Sequence, residues 1–402
     1  MTAYHQSKVD RASLRRYRLD RIRRQLRQRD YGGALLLDPC NIRHATDVAN
    51  MQVWALHNKC RYVYVATEGP VILFDYGSAK HLSAGYELIA ETRTAYPHTY
   101  FTNGGRHGEY IGNFAKEIAD LVRQHGGGNK RLAVDKLDPP GAHALEREGV
   151  TIADGEEVME WARTIKNADE VVAMKESIAA CEAGIEAMWR ALKPGMTENE
   201  LWAQLHATNI AKGGEWIECR LLTSGERTNP WFQECSDRVI QKGDIVAFDT
   251  DLIGPNGYCA DVSRSWVAGD VAPTDEQRRL YGVALDNLHH NLALVKAGLS
   301  FRDFTEKSFK LPAEFVDRRY SCIMHGVGLA DEYPFAVYLQ DWKRWGFDGE
   351  LQAGMTICVE ALIGAVGGKE CVKIEQQVLV TETGYELLSH APLGLRPEYS
   401  SV

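Results

Sequence analysis

The chain has 402 residues, 45% of them hydrophobic and 25% charged, the balance of a soluble globular protein with room for two domains of roughly 100–200 residues each. A net charge of −9 argues against a nucleic-acid partner, and no run of roughly 18 apolar residues or signal-peptide core points to a membrane span or to export. The nine cysteines are odd in number, irregularly spaced and without a CxxC pair, a pattern that suits reduced thiols in a cytoplasm better than a disulfide framework.

Arg11 to Asp30 (RASLRRYRLDRIRRQLRQRD) holds nine arginines, with Leu19, Ile22 and Leu26 at helical spacing. Such a segment can be a transit peptide or a membrane-surface helix. Asp20 and Asp30 interrupt the charge and a strand follows at once, so it reads as the first helix of a domain, apolar face down and arginines in water. GGALLLD (32–38), YVYVAT (62–67), PVILFD (70–75) and RLAVDKL (131–137) read as strands, and 110–127 as a helix stopped by glycine. HGGGN (125–129) follows a helix and precedes a strand, the reverse of a phosphate loop, and reads as a turn. This part is an α/β domain, expected over 1–160. A second, α+β domain is expected over 161–402. It opens with an amphipathic helix from Asp169 to Leu192 and a second helix at 197–214, whose start carries a Thr197–Glu200 capping box. Strands and hairpins dominate 215–270, helices return at about 274–318, and strands follow to about 380.

DTDLIGPNGYCAD (249–261) puts three aspartates into thirteen residues of strand-like sequence, although strands disfavour Asp. IVAFDTDLI (245–253) reads as one strand, with Asp249 and Asp251 on one face. GPNG is the turn, and YCADVSRSWV (258–267) is the return strand with Asp261. Three clustered anions are costly unless something cationic neutralises them. A lone acidic hairpin is most often a solvated face, but the apolar flanks here argue for burial. His325 follows an apolar run in SCIMHGVGLADEYP, and Glu360 and Glu375 sit inside the apolar strands TICVEALIG and KIEQQVLVT. A buried glutamate in a strand needs a partner. Five carboxylates and one imidazole, with few lysines or arginines beside them, suit manganese, iron, cobalt or zinc, often as a pair of ions.

The order Asp, Asp, His, Glu, Glu on strands resembles the pita-bread superfamily of methionine aminopeptidase, prolidase, aminopeptidase P and creatinase. GGALLLDPCNIRHATD looks like the creatinase-type N-terminal domain, and KNADEVVAMKESIAACEAG like the first helix of the catalytic domain. GDIVAFDTD, CADVSRSW, MHGVGL, ICVEAL and KIEQQVLVTETGYELLS match the metal strands. Two departures weaken a peptidase reading. The usual first aspartate of the peptidases falls at Thr250, flanked by Asp249 and Asp251, and the places of two substrate-facing histidines hold Phe232 and Asp331.

Both departures match one branch, the DddP-type dimethylsulfoniopropionate lyases, which cleave a sulfonium zwitterion to dimethyl sulfide and acrylate. NMQVWALHN, MHGVGLADEYP and the stretch from ECRLLTSGERTNPWF to CADVSRSW resemble it. The resemblance implies six ligands, Asp249, Asp251, Asp261, His325, Glu360 and Glu375. It implies a pair of metal ions, iron first, with manganese, zinc, cobalt or nickel as alternatives. It implies Asp331 as base, Trp54 and Tyr320 as substrate-contacting aromatics, and a homodimer. Trp231 and Phe232 are further candidates for a sulfonium, which aromatic faces bind. The chemistry fits: a carboxylate base can take an α-proton acidified by a Lewis acid, and the leaving dimethyl sulfide needs no general acid. Two other readings stand beside the lyase: a metallohydrolase of Xaa-Pro dipeptides or another small amide, and a non-catalytic module of the same fold.

Overall fold

The structure, a computed structural model, describes residues 7–399. Residues 1–6 and 400–402, at the outer ends of the two expected domains, lie outside that range. The chain divides into two units, Asp10–Arg163 and a second that joins residues 7–9 to the chain from Thr164 onward.

The first unit is built on a six-stranded mixed sheet of β1 (Gly33–Leu36), β2 (Tyr62–Ala66), β3 (Val71–Asp75), β4 (Ile89–Thr94), β5 (Arg131–Val134) and β6 (Thr151–Asp154), in the order β4-β3-β2-β1-β5-β6. Helix Arg11–Gln28 is capped by Asp10, whose side chain accepts from the Ser13 amide, and it buries Leu14, Leu19, Ile22 and Leu26. The expectation that its arginines face water needs correction, because Arg18 and Arg21 are buried too. Arg18 joins Arg11 and Arg15 around the Asp47 carboxylate, at 3.6, 3.2 and 3.1 Å. Trp54 lies on a short helix, Gln52–His57, half-buried, with its ring 5.7 Å from that of Tyr76. Helix His107–His125 ends at Gly126, and Gly127 and Gly128 take positive φ in the turn the sequence suggests.

The second unit opens with helices Ala168–Ala191 and Glu198–Ala211, each started by a complete capping box, Asn167–Glu170 and Thr197–Glu200. Two three-stranded sheets follow. They are made from β7 (Trp216–Ile217), β8 (Leu222–Ser224), β9 (Ile245–Phe248), β10 (Leu252–Ile253), β11 (Cys259–Ala260) and β12 (Arg264–Val267), in the orders β11-β10-β7 and β12-β9-β8. Then β13 (Cys322–Val327), β14 (Asp331–Val337), β15 (Thr356–Ile363), β16 (Val372–Val380) and β17 (Tyr385–Leu387) form an antiparallel sheet in the order β14-β13-β15-β16-β17.

The acidic hairpin differs from its sequence reading. Neither arm is one continuous strand. The first breaks at Asp249–Asp251 and the second at Asp261–Ser263, so that β9 pairs with β12 in one sheet and β10 with β11 in another. The ligand-type residues occupy the breaks, and Asp251 sits at φ +35°, a left-handed value that Asp tolerates better than most residues. Side-chain alternation then sorts the five-stranded sheet. One face of β15 and β16 buries Ile357, Val359, Ala361, Ile363, Ile374 and Val378 in a core shared with Leu280, Ala284 and Leu288 of helix Asp275–Leu292. Each of the isoleucine, valine and leucine side chains among them contributes about 1.5–3 kcal/mol by leaving water. Cys358, Glu360, Lys373, Glu375 and Gln377 take the opposite face, and all are buried.

Candidate metal centre

The antiparallel register makes Glu360 and Glu375 direct cross-strand partners and puts His325 opposite Cys358. Like charges directly opposite each other destabilise a sheet, so the pair needs cations. Gln377 joins this face to the broken hairpin: its Oε1 accepts from the Asp261 amide at 3.2 Å. Asp249, Asp261, His325, Glu360 and Glu375 are thereby drawn into one buried cluster.

His325 organises one side of it. Its Nδ1 donates to the carbonyl of Gly326 at 3.0 Å, which leaves Nε2 facing the carboxylates. Nε2 lies 3.3 Å from Asp261 Oδ2, 3.5 Å from Glu375 Oε1 and 3.7 Å from Glu360 Oε1. A residue the sequence reading passed over organises the other side. Lys373 is completely buried, with Nζ 2.7 Å from Glu360 Oε2, 2.9 Å from Asp249 Oδ2 and 3.2 Å from Glu375 Oε2. The expectation of few cations beside the carboxylates is therefore corrected. The signal was available: Lys373 and Glu375 stand two apart on one strand and must share a face. Ser263, in the second strand break, stands with its hydroxyl 2.6 Å from Asp249 Oδ1 and 2.7 Å from Glu375 Oε2, its one proton shared between them. Arg264, fully buried, donates to the Glu375 carbonyl at 2.6 Å and holds that strand.

The two glutamates thus divide their oxygens. The Oε2 atoms serve Lys373, while Glu360 Oε1, Glu375 Oε1 and Asp261 Oδ1 are buried without a hydrogen-bond partner. Buried polar atoms without partners are rare and costly. Three on carboxylates, two of them (Glu360 Oε1 and Glu375 Oε1) 3.7 and 3.5 Å from the imidazole Nε2, fit a metal ion. Asp261, His325, Cys358 and Glu375 bring ligand atoms within 4.8 Å of one another, as do Asp249, Glu360 and Glu375, and as do Asp251, Cys259 and Asp331. Oxygen-rich donors with one imidazole suit manganese, iron, cobalt or zinc.

The protonation equilibria record the crowding. Burial, then repulsion from Asp249, raises the Asp251 carboxyl, and burial with Glu375 and Asp249 raises that of Asp261. Burial pushes Glu360 up to about 7 despite Lys373. Burial works the same way on Glu375, but Lys373 and His325 outweigh it and hold that carboxyl low. Burial works to lower His325, yet Asp331, Asp261 and Glu375 keep it well above its ordinary value.

Asp331 begins β14, on the strand beside His325, with Oδ1 3.6 Å from His325 Nδ1 and its side chain 55% exposed. Burial by its neighbours and the charges of Glu375 and Asp249 raise its carboxyl, against His325. Tyr320, Phe232 and Trp231 line a cavity of about 180 Å³ together with Arg318, Leu362 and Cys371. The Phe232 and Tyr320 rings stand 5.2 Å apart, and Lys373 Nζ lies 5.3 Å from the centre of the Tyr320 ring, so Tyr320 borders both the cavity and the carboxylates. Phe232 is 63% exposed at φ +73°, whereas Trp231 is buried. Trp54 belongs to the other unit.

A creatinase-like α/β unit followed by a pita-bread unit whose sheet carries a buried carboxylate–histidine cluster defines a metal-dependent enzyme. The chain belongs to metallopeptidase family M24, which matches residues 172–382, and residues 18–165 match the creatinase/prolidase N-terminal domain. It is 44% identical to the dimethylsulfoniopropionate lyase DddP of Roseovarius nubinhibens over 94% of this chain and 86% of that protein. It is 42% identical to the protein of the same name from Roseobacter denitrificans over 95% and 87%. Among solved structures it is similar to an Xaa-Pro dipeptidase from Bacillus anthracis, with a TM-score of 0.76 at 21% identity over 94% of this chain and 98% of that one. A prolidase from Pyrococcus furiosus gives a TM-score of 0.72 at 18% identity over 92% and 99%. These structural likenesses establish the shared two-domain fold.

Proposed function

We propose that this chain is a carbon–sulfur lyase that cleaves dimethylsulfoniopropionate to dimethyl sulfide and acrylate. The observation that carries the reading is Asp331: a carboxylate, not an imidazole, stands 3.6 Å from His325 at the edge of the buried cluster. The high identity to the two named lyases supports it.

Asp249, Asp251, Asp261, His325, Glu360 and Glu375 would hold the metal ions, iron first among the candidates. Bound there, metal supplies Lewis acidity that draws electron density from the substrate's carboxylate and makes its α-proton more acidic. Asp331 takes that proton. The C–H electron pair becomes the carbon–carbon double bond, the C–S bond breaks, and its pair leaves on sulfur as neutral dimethyl sulfide. No general acid is needed. The half-exposed Asp331 side chain can return the proton to water. Tyr320, Phe232 and Trp231 offer ring faces to the sulfonium, each worth about 0.5–2 kcal/mol. Trp54 is proposed as a further aromatic contact, in a homodimer. No helix among the described residues is long and apolar enough to cross a membrane. A cytoplasmic enzyme of a small zwitterion, without nucleic-acid partners, is the reading we adopt.

The test is headspace gas chromatography of the metal-loaded protein with dimethylsulfoniopropionate, beside a chelated control and an Xaa-Pro dipeptide assay. Metal-dependent dimethyl sulfide without dipeptide cleavage is expected. Dipeptide cleavage without dimethyl sulfide would replace the lyase with a hydrolase.

A further inference from the structure

Next to Asp331 the chain carries a second carboxylate whose surroundings are the opposite. Glu332 is fully buried and forms an ion pair with Lys166, whose side chain is 2% exposed. The sequence distance between them is 166 residues. A buried ion pair is weak evidence for stability as such, because desolvation offsets its attraction. Its placement is what calls for explanation.

The β13–β14 pairing is irregular at this point. The register jumps from His325↔Phe335 to Gly326↔Glu332, so Tyr333 and Pro334 bulge from the ladder. A bulge frees the segment carrying Asp331 from regular pairing and re-aims its side chains. Something else must fix it. Glycines make room for that something. A Cβ on Gly328 would lie 2.5 Å from both carboxylate oxygens of Glu332, and one on Gly326 would lie 2.6 Å from the Glu332 carbonyl oxygen. Lys166 is itself moored to the sheet that bears the candidate ligands. Its amide donates to the Gly354 carbonyl at 2.9 Å, and the Gly354 amide donates to the carbonyl of Val380 at 3.0 Å. Gly354 lies just before β15 and Val380 ends β16, the strands of Glu360 and Glu375.

We infer that Lys166 and Glu332 form a buried clasp that positions Asp331 against the metal centre, by tying the bulged β13–β14 segment to the start of β15 and the end of β16. The inference rests on the reading of Asp331 as the base. Lys166 and Glu332 are positioning residues. They act by setting the distance from the Asp331 carboxylate to the α-proton. A misplacement near 1 Å costs about 10²-fold in rate.

The experiment compares metal-loaded wild type, Glu332→Gln and Asp331→Asn with dimethylsulfoniopropionate and with its form deuterated at the α-carbon. For Glu332→Gln, kcat is expected to fall about 10²-fold. KM and metal content should stay unchanged, with a primary isotope effect at least as large as that of the wild type, because proton transfer is the step made slower. A folded, metal-loaded Glu332→Gln protein with wild-type kcat would overturn the clasp. So would a slow one whose isotope effect has vanished, since a merely structural defect would not act on the proton step. Where Glu332→Gln does not fold, Glu332→Asp carries the same expectation and the same overturning results, because it keeps the charge and shortens the side chain by one methylene. If Asp331→Asn keeps wild-type kcat, the base reading fails and the clasp with it. If Asp331→Asn is inactive while the Glu332 variant is unimpaired, the clasp alone fails.

Discussion

Each unit buries a cluster of charged groups, and the two clusters are built in opposite ways. In the first unit cations outnumber the anion: Arg11, Arg15 and Arg18 surround Asp47, and Arg61 pairs with Asp75 at 2.9 Å. Asp47 pays for its burial through those guanidiniums and ends with a lowered carboxyl. In the metal cluster of the second unit anions outnumber cations. Asp249, Asp261, Glu360 and Glu375 face one ammonium and one imidazole, and three of their oxygens have no hydrogen-bond partner. A structural charge is balanced within the protein. A metal site is left short of positive charge, with the deficit gathered at one point.

The comparison can be broken at several places. Asp331→Asn leaves the ligand set intact and removes only the base. Turnover should fall about 10²–10⁴-fold with metal content unchanged, checked by dimethyl sulfide release and elemental analysis. Lys373→Met and Asp47→Asn each leave buried charge uncompensated, at about 3–5 kcal/mol. They should differ in rescue. Added metal should restore much of the melting temperature lost by Lys373→Met and none of that lost by Asp47→Asn, read by thermal denaturation with and without chelator.

A smaller effect is pH-dependent. In the folded metal-free protein Glu360 keeps its proton up to about pH 7, whereas unfolded it loses it near 4.5. The folded state then binds more protons across that window, so metal-free stability should fall as pH rises through it. His325, held above its ordinary 6.5, acts in the same sense. Denaturant titrations of chelated and loaded protein across that window would show the slope only in the chelated form. The smallest effect belongs to the surface: Arg190→Ala, which breaks an exposed i,i+4 pair with Glu186, should cost no more than about 0.5 kcal/mol by denaturant titration.

Much of the site was legible in the sequence because alternation and residue chemistry both mark it. Glu360 and Glu375 stand out inside apolar strands, and the Asp-rich hairpin flanked by IVAF and WVAG advertises burial. Three features were not legible. The hairpin's two breaks depend on which sheet each half joins, a tertiary choice that no local pattern records. That Lys373, which shares a face with Glu375, also meets Glu360 follows only from the cross-strand Glu360–Glu375 pair. Arg18 and Arg21 look like the wet side of an amphipathic helix until Asp47 and the backbone carbonyls of Trp161 and Ala162 supply their partners.

The central claim is that oxygens left without partners mark the centre on which activity depends. Metal content per chain and dimethyl sulfide release, measured on the same aliquots of wild type and Glu375→Gln across a metal titration, test it most directly. The account predicts that release rises in step with bound metal in the wild type, and that Glu375→Gln loses both. Release at full rate from metal-free wild type, or from a Glu375→Gln protein that binds no metal, would contradict it.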